Sequence, residues 1–288
     1  MPDLIWTDER GQQSTQRITA RSTNIAVRGA ATIDLTPIAA APRCRMLSVW
    51  LGAVRDIDLA PLANHPGLER VHLELAGRPD LTPLASCTVL REVQLTFTGP
   101  EPIDLAPLAR CARLEHLQVT AKHGALDLAP LAAAGSITRL SVASPAPLEL
   151  APVRQMPGVR KLELGGTAPR YDLAPLRGVP LESFMVSANG WREIDLAPVA
   201  SPTLRALTLI PLDVTTLDLD VLAPCTALRE VNLSPGFASI LRVTGLAKLA
   251  DLETLRFPKY VDLICQVDHA DVTCVPLRKH LRRPTSGI

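Results

Sequence analysis

The sequence predicts an α/β solenoid, a chain wound into stacked units that each pair a short strand with a helical turn. Three observations carry this reading. A phrase opening on an acid recurs nine times, from Asp34-Leu-Thr-Pro-Ile through Asp58, Asp80, Asp104, Asp127, Glu149, Asp172, Asp195 and Asp218, at spacings of 24, 22, 24, 23, 22, 23, 23 and 23 residues. Self-similarity at such a period is the signature of a repeat architecture. Apolar residues hold fixed places after each acid. The composition agrees: 47% of the 288 residues are hydrophobic but only 3% aromatic, with 26 Pro, which suits an aliphatic core crossed by many turns.

Within one unit, counted from Asp58, the apolar places are Leu59, Leu62, Leu68, Val71 and Leu73, and Ile57 precedes the acid. Leu68-x-x-Val71-x-Leu73 ends in period-two alternation, the mark of a short strand with one buried face. Asp-Leu-Ala-Pro-Leu puts an acid at an expected helix N-cap and Pro in the first turn, where the missing N–H has no intrahelical partner to serve. A tight helical or 3₁₀ segment follows. Each of Asp34, Asp58, Asp80, Asp104, Asp127, Glu149, Asp172, Asp195 and Asp218 is then a structural cap accepting one or two orphan N–H groups, worth about 1 kcal/mol per cap. A calcium reading of this column fails on number, since adjacent units supply one acid each whereas calcium needs six to eight oxygens about one point.

Along the chain, residues 1–24 form an expected N-terminal cap, with Leu4 to Thr7 and Gln16 to Thr19 flanking Glu9-Arg-Gly-Gln as a hairpin. Exposed solenoid ends need such covers. Residues 25–257 carry ten to eleven units of 22–24 residues, opening with a strand at Ile25 and Val27. A tenth, weaker copy has Arg242 in the acid's place and Leu246, Leu252, Leu255 and Phe257 in the apolar ones. The seventh and eighth units are one residue short, with Leu181 and Leu204 arriving early. Residues 258–277 read as a C-terminal cap, and 278–288 as a basic, flexible tail.

These repeats resemble the leucine-rich repeat family, in particular its bacterial internalin-like subtype, whose units carry an Asp-x-x-Pro-Leu turn. The resemblance covers roughly residues 22 to 257. It implies a right-handed, curved solenoid with a concave parallel β-sheet and short 3₁₀ or helical turns on the convex side. It also implies a protein-binding scaffold. The chain departs from the family at the place three residues after the second strand apolar, commonly Asn or Cys, where Ala76, Thr98, Lys122, Pro145 and Thr167 stand and Asn189 alone matches. Looser descending loops are expected.

Thirty Lys plus Arg against 29 Asp plus Glu leave a net charge of +1, which argues against a nucleic-acid partner, since such proteins carry a basic stripe. The charged N-terminal dozen has no apolar run, so no leader, membrane span or membrane partner is expected. The expected protein is a cytoplasmic monomer, and the excess of Ala and Pro with only five Lys points to a bacterial source. The six Cys are too scattered for a disulfide framework. Cys87, Cys111 and Cys225, each seven places after an acid, read as buried core thiols, although Cys265, Asp268, His269, Asp271 and Cys274 form a more suggestive cluster. Their spacing fits no common zinc motif, so no metal and no cofactor is assigned. No Gly-rich phosphate loop, Ser elbow or HExxH is present.

Residues between and beside the strand apolars should face solvent. Stacked in register, one column contains Arg70, Glu92, His116, Arg139 and Lys161; a second His72, Gln94, Gln118 and Glu163; a third Arg28, Trp50 and Glu74. These form a mixed-charge patch with basic residues in slight excess. Trp50, the one aromatic on the columns, belongs to a residue type enriched at binding hot spots, and packing against the cap is its alternative. The patch admits three readings: a solvated face with charges paired across strands, a protein-binding surface, or acid–base chemistry by His72, Glu92 and His116. The expected protein is a non-enzymatic interaction scaffold, with an enzyme or small-ligand binder, and a regulatory module of a neighbouring enzyme or kinase, as alternatives. The small, mildly apolar columns of units seven and eight are a further candidate for binding or self-association.

Overall fold

The computed structural model describes residues 3–50, 57–188, 191, 194–210, 216–233, 240–242, 249, 251–257, 262–264 and 273–276. The chain forms two compact units, Met1–Val179 and Pro180–Ile288.

The first unit opens with an antiparallel hairpin, β1 (Asp3–Thr7) against β2 (Gln13–Arg17). Its turn is held by Asp8, whose Oδ1 accepts the backbone N–H of Arg10 at 2.9 Å and of Gln12 at 2.8 Å, while Gly11 takes a φ of 77°. Strand β3 (Asn24–Arg28) begins the repeats, and β4 (Thr32–Ile33) pairs with β1, which ties the hairpin to the first of them. The parallel run then continues through β5 (Met46–Trp50), β6 (Arg70–Leu75), β7 (Glu92–Phe97), β8 (His116–Ala121), β9 (Arg139–Ala143) and β10 (Lys161–Gly166).

Alternation decides which side is core. In β6, Val71 and Leu73 are buried, whereas Arg70 is exposed and His72 and Glu74 are half-buried. The registers place equivalent residues side by side, so Val71, Val93, Leu117, Leu140 and Leu162 form one continuous buried column. The turn residues Leu59, Leu62 and Leu68 and their counterparts close the core from the other side.

The helical turns explain the recurring phrase, with one correction. The N-cap is the Leu after each acid, not the acid, and the acid stands one place earlier. All nine acids nevertheless use one carboxylate oxygen to accept the N–H two residues on, at 2.8–2.9 Å. In the Asp58 unit, Ala60 N–H goes to Asp58, Pro61 has none to place, and Leu62 N–H returns to Leu59 O at 2.9 Å. Acid and Pro thus leave no donor of these three residues without an acceptor. Hydrogen bonds from the Thr36 and Thr82 hydroxyls, and then from their N–H groups, hold the Asp34 and Asp80 carboxyls below their usual range.

Seven places after the acids runs an inner column of Ala41, His65, Cys87, Cys111, Ala134, Met156 and Val179, all buried. Its polar members donate to the preceding repeat. Cys87 reaches Leu62 O at 3.0 Å, Cys111 Leu84 O at 3.6 Å, and His65 Nε2 Ala41 O at 3.1 Å. Burial pushes the Cys44 and Cys87 thiols up and Cys111 to about 11.

In place of the missing Asn ladder, the descending loops use other bonds. Thr98 Oγ1 donates to Leu75 O at 3.3 Å, and Tyr171 Oη lies 2.6 Å from Gly165 O and 3.2 Å from Ser144 O. Gly166, at φ 109°, passes so close that a Cβ there would fall 2.1 Å from Ser144 O, so only glycine fits.

The second unit repeats the pattern. Strands β11 (Ser183–Ala188), β12 (Ala206–Ile210), β14 (Glu230–Leu233), β16 (Thr254–Phe257) and β18 (Thr273–Pro276) run parallel in that order. A smaller parallel ladder joins β13 (Thr216–Asp218), β15 (Ile240–Arg242) and β17 (Asp262–Ile264). β17 and β18 arise within the segment read from sequence as a C-terminal cap. Leu181 and Leu204 are buried despite their short units. Trp191 is fully buried, and Cys225 is a core thiol raised to about 11 by burial. Residues 277–288 and Asn189 lie outside the described residues, as do Cys265, Asp268, His269 and Asp271 and the side chain of Cys274.

Candidate binding surface

The solvent side of the β3–β10 sheet carries the candidate residues. Strand pairing sets Arg70 beside Glu92, Glu92 beside His116, His116 beside Arg139 and Arg139 beside Lys161. The adjacent column runs Ser48, His72, Gln94, Gln118, Ser141 and Glu163, and the third Arg28, Trp50, Glu74, Thr96 and Thr120.

Every acid on these columns is engaged. Glu92 Oε1 lies 3.2 Å from His72 Nε2 and accepts the Gln94 amide N–H at 2.7 Å. Glu163 is paired with Arg139 on the neighbouring strand. Glu74 accepts from Lys122 Nζ at 3.1 Å, two repeats away, so the lysine spans the β7 position held by Thr96. Bases and acids also differ in exposure. The Glu74, Glu92 and Glu163 side chains are 28%, 24% and 20% exposed, whereas Lys122 and Arg139 are 53% and 45% exposed. In the Lys122–Glu74 and Arg139–Glu163 pairs the cation is the more exposed partner.

Between β7, β8 and β9 is an open hollow of about 140 Å³, floored by Val93 and Leu117 and walled by Glu92, Gln94, His116, Gln118, Arg139 and Ser141. It is smaller than the roughly 300–1,000 Å³ of a typical small-molecule cleft. His72 and Glu92 are brought into contact. His116 stands apart on the rim and makes no ion pair among the described residues, so the three residues named for acid–base work are not assembled as one group. Among the described residues no three His, Cys, Asp or Glu side chains gather as a metal set, and no helix is long and apolar enough to cross a membrane.

The Arg28 guanidinium lies over the Trp50 ring, 4.9 Å from the centroid, and the indole is partly exposed. Lys122 was not among the expected site residues, and the contact of Arg28 with Trp50 was not anticipated. A second feature absent from the sequence reading is an edge row of alternating charge, in which Arg45 pairs with Glu69 at 3.8 Å and Arg91 with Glu115. Its signal was present as opposite charges one period apart. In the second unit the corresponding columns hold Met185, Thr208 and Ile210, all half-buried, with Arg256 and Glu230 paired at 3.8 Å.

This arrangement of parallel strands on one side and Asp-Leu-x-Pro-Leu turns on the other defines an α/β leucine-rich repeat solenoid. Its turn type is that of the internalin-like proteins. An internalin from Listeria monocytogenes (inlF) is similar in structure at 21% identity, covering 86% of this chain and 78% of that one, with a TM-score of 0.54. TLR13 in its complex with ssRNA13 is similar at 12% identity over 83% of this chain and 36% of that one, with a TM-score of 0.57. No protein-family model and no curated protein matches the sequence.

Proposed function

We propose that this protein is a cytoplasmic interaction scaffold that docks a protein partner on the solvent face of its β3–β10 sheet, the concave face expected of such a solenoid. The observation that carries this is the built character of that face. Seven strands present a continuous, polar, register-locked surface on which Glu74, Glu92, Arg139 and Glu163 are fixed by contacts between strands and loops while Arg70, His116 and Lys161 stand exposed. A surface of ordered side chains loses less entropy on docking than a mobile one. At about 4.8 Å per strand it extends for about 30 Å, which with strands of about 17–20 Å gives a face of about 500–600 Å², most of the roughly 800 Å² that one side of a standard interface needs. The fold shared with TLR13, whose structure holds a single-stranded RNA, supports a macromolecule-binding role for a solenoid of this kind.

Substituting Arg70, His116 and Arg139 together by Ala tests it. Retention of the native partner should fall while the melting temperature stays within a few degrees, because all three side chains are exposed. Undiminished retention would contradict the assignment of this face.

A further inference from the structure

The charge layering of the β3–β10 face points to the chemistry of the partner. We infer that the face receives an acidic protein segment, with one carboxylate entering the hollow between His116 and Arg139 and others meeting Arg70 and Lys161. The inference rests on the docking role proposed above and deepens it.

Four observations converge. The columns carry Arg28, Arg70, Arg139 and Lys161 against Glu74, Glu92 and Glu163, and Lys122 leans in from the descending loop. All three acids are held by internal partners and recessed, so none presents a free carboxylate to a visitor. Arg70, His116 and Lys161 are exposed and make no ion pair among the described residues, which leaves cationic and N–H donor groups as the unsatisfied chemistry of the face. Finally, these groups share one column, His116, Arg139 and Lys161 on consecutive strands and Arg70 two strands before His116. At about 4.8 Å between strands the line reaches from Arg70 to Lys161 over about 19 Å, which an extended segment of about six residues spans.

An acidic protein segment fits better than a single-stranded nucleic acid, which is also anionic. Non-specific nucleic-acid grooves combine a dense run of cations with exposed aromatic rings on which bases stack. Here the one aromatic on the columns is Trp50, and its ring is already covered by Arg28. The hollow beside His116 and Arg139 is of side-chain size and lined by Gln118 and Ser141 as well; its one carboxylate, Glu92, already has His72 and Gln94 on Oε1, so the donors on the opposite wall are the groups that meet a visiting carboxylate.

The test uses the full chain and three fluorescent probes: an alternating Glu-Gly peptide, its Lys-Gly counterpart, and a single-stranded RNA of about 12 nucleotides. Anisotropy is read at about 20 mM and about 150 mM salt, which separates screened from unscreened attraction. The acidic peptide should bind the wild type and lose roughly tenfold in affinity when Arg70→Gln, His116→Gln and Lys161→Gln are combined, with the Lys-Gly peptide inert. These side chains have no internal ion partner, and a circular-dichroism melt confirms that the variant folds. No acidic-peptide binding at the lower salt, equal binding by the variant, or tighter binding of the RNA would each overturn the inference. Failure of the docking role itself would appear elsewhere, as undiminished partner retention by the Ala triple variant.

Discussion

His72 Nε2 lies 3.2 Å from Glu92 Oε1 on the neighbouring strand, and Gln94 donates to the same oxygen at 2.7 Å. Two donors on one carboxylate oxygen fix the Glu92 side chain in place on the face. Glu92→Gln should therefore cost at most about 1 kcal/mol of stability, as expected for a partly exposed pair. It should also tighten binding of the acidic peptide a few-fold, because it removes the one acid from the Arg70–Lys161 column. Parallel urea melts and anisotropy titrations check both parts.

The acids of the helical turns act through one bond each, so their loss should be local and graded. Asp104→Ala leaves the Ala106 N–H without its carboxylate acceptor and should lower stability by about 1 kcal/mol, with Asp104→Asn milder. In a stacked array each repeat contacts its neighbours, so pairing Asp104→Ala with Asp34→Ala should give nearly additive losses. Equilibrium urea denaturation of the single and double variants measures this.

His65 sits buried in the inner column with Nε2 on Ala41 O and Nδ1 accepting the Gly67 N–H, and burial holds its pKa below the usual imidazole value. The unfolded chain therefore binds a proton that the folded chain resists. Stability from this group is complete above the ordinary imidazole pKa of about 6.5 and declines as pH falls below it. His65→Cys, which copies the residue one repeat on, should flatten the dependence of the urea midpoint between about pH 7.5 and about pH 5.5. The lowered Asp34 and Asp80 carboxyls act in a separate window. Their contribution is present above the ordinary Asp pKa of about 3.9 and is lost as pH falls through their depressed values.

Cys44, Cys87, Cys111 and Cys225 are free, buried and held above the usual thiol pKa by desolvation. The thiolate is the reactive form. Pulse alkylation near neutral pH followed by peptide mapping should leave all four unmodified in the native protein and label all four in denaturant. Rapid native labelling of Cys87 or Cys111 would show that the inner column opens.

Much of this was legible in the chain. The period of the acid phrase placed the strands, and alternation sorted Val71 and Leu73 inward from Arg70, His72 and Glu74. The registers then brought together the columns read from sequence. Three things were not legible, each for a physical reason. An acid that caps as N-cap and one that bonds the first helical N–H from one place earlier share the same pattern of types, so the cap fell one residue off. The Lys122–Glu74 pair joins groups 48 residues apart, and Arg28 over Trp50 depends on side-chain rotamers; periodicity carries neither. His65 was overlooked because it fills a place held elsewhere by Cys, Ala, Met or Val, where a polar residue works only if its ring reaches the preceding repeat's carbonyl.

The most direct measurement is site-specific photo-crosslinking in the native cell, with a photoreactive amino acid at Gln118 on the open face or at Arg154, exposed on a helical turn. Docking on the β3–β10 face predicts a protein adduct from position 118 and none from position 154. An adduct from position 154 alone would contradict it.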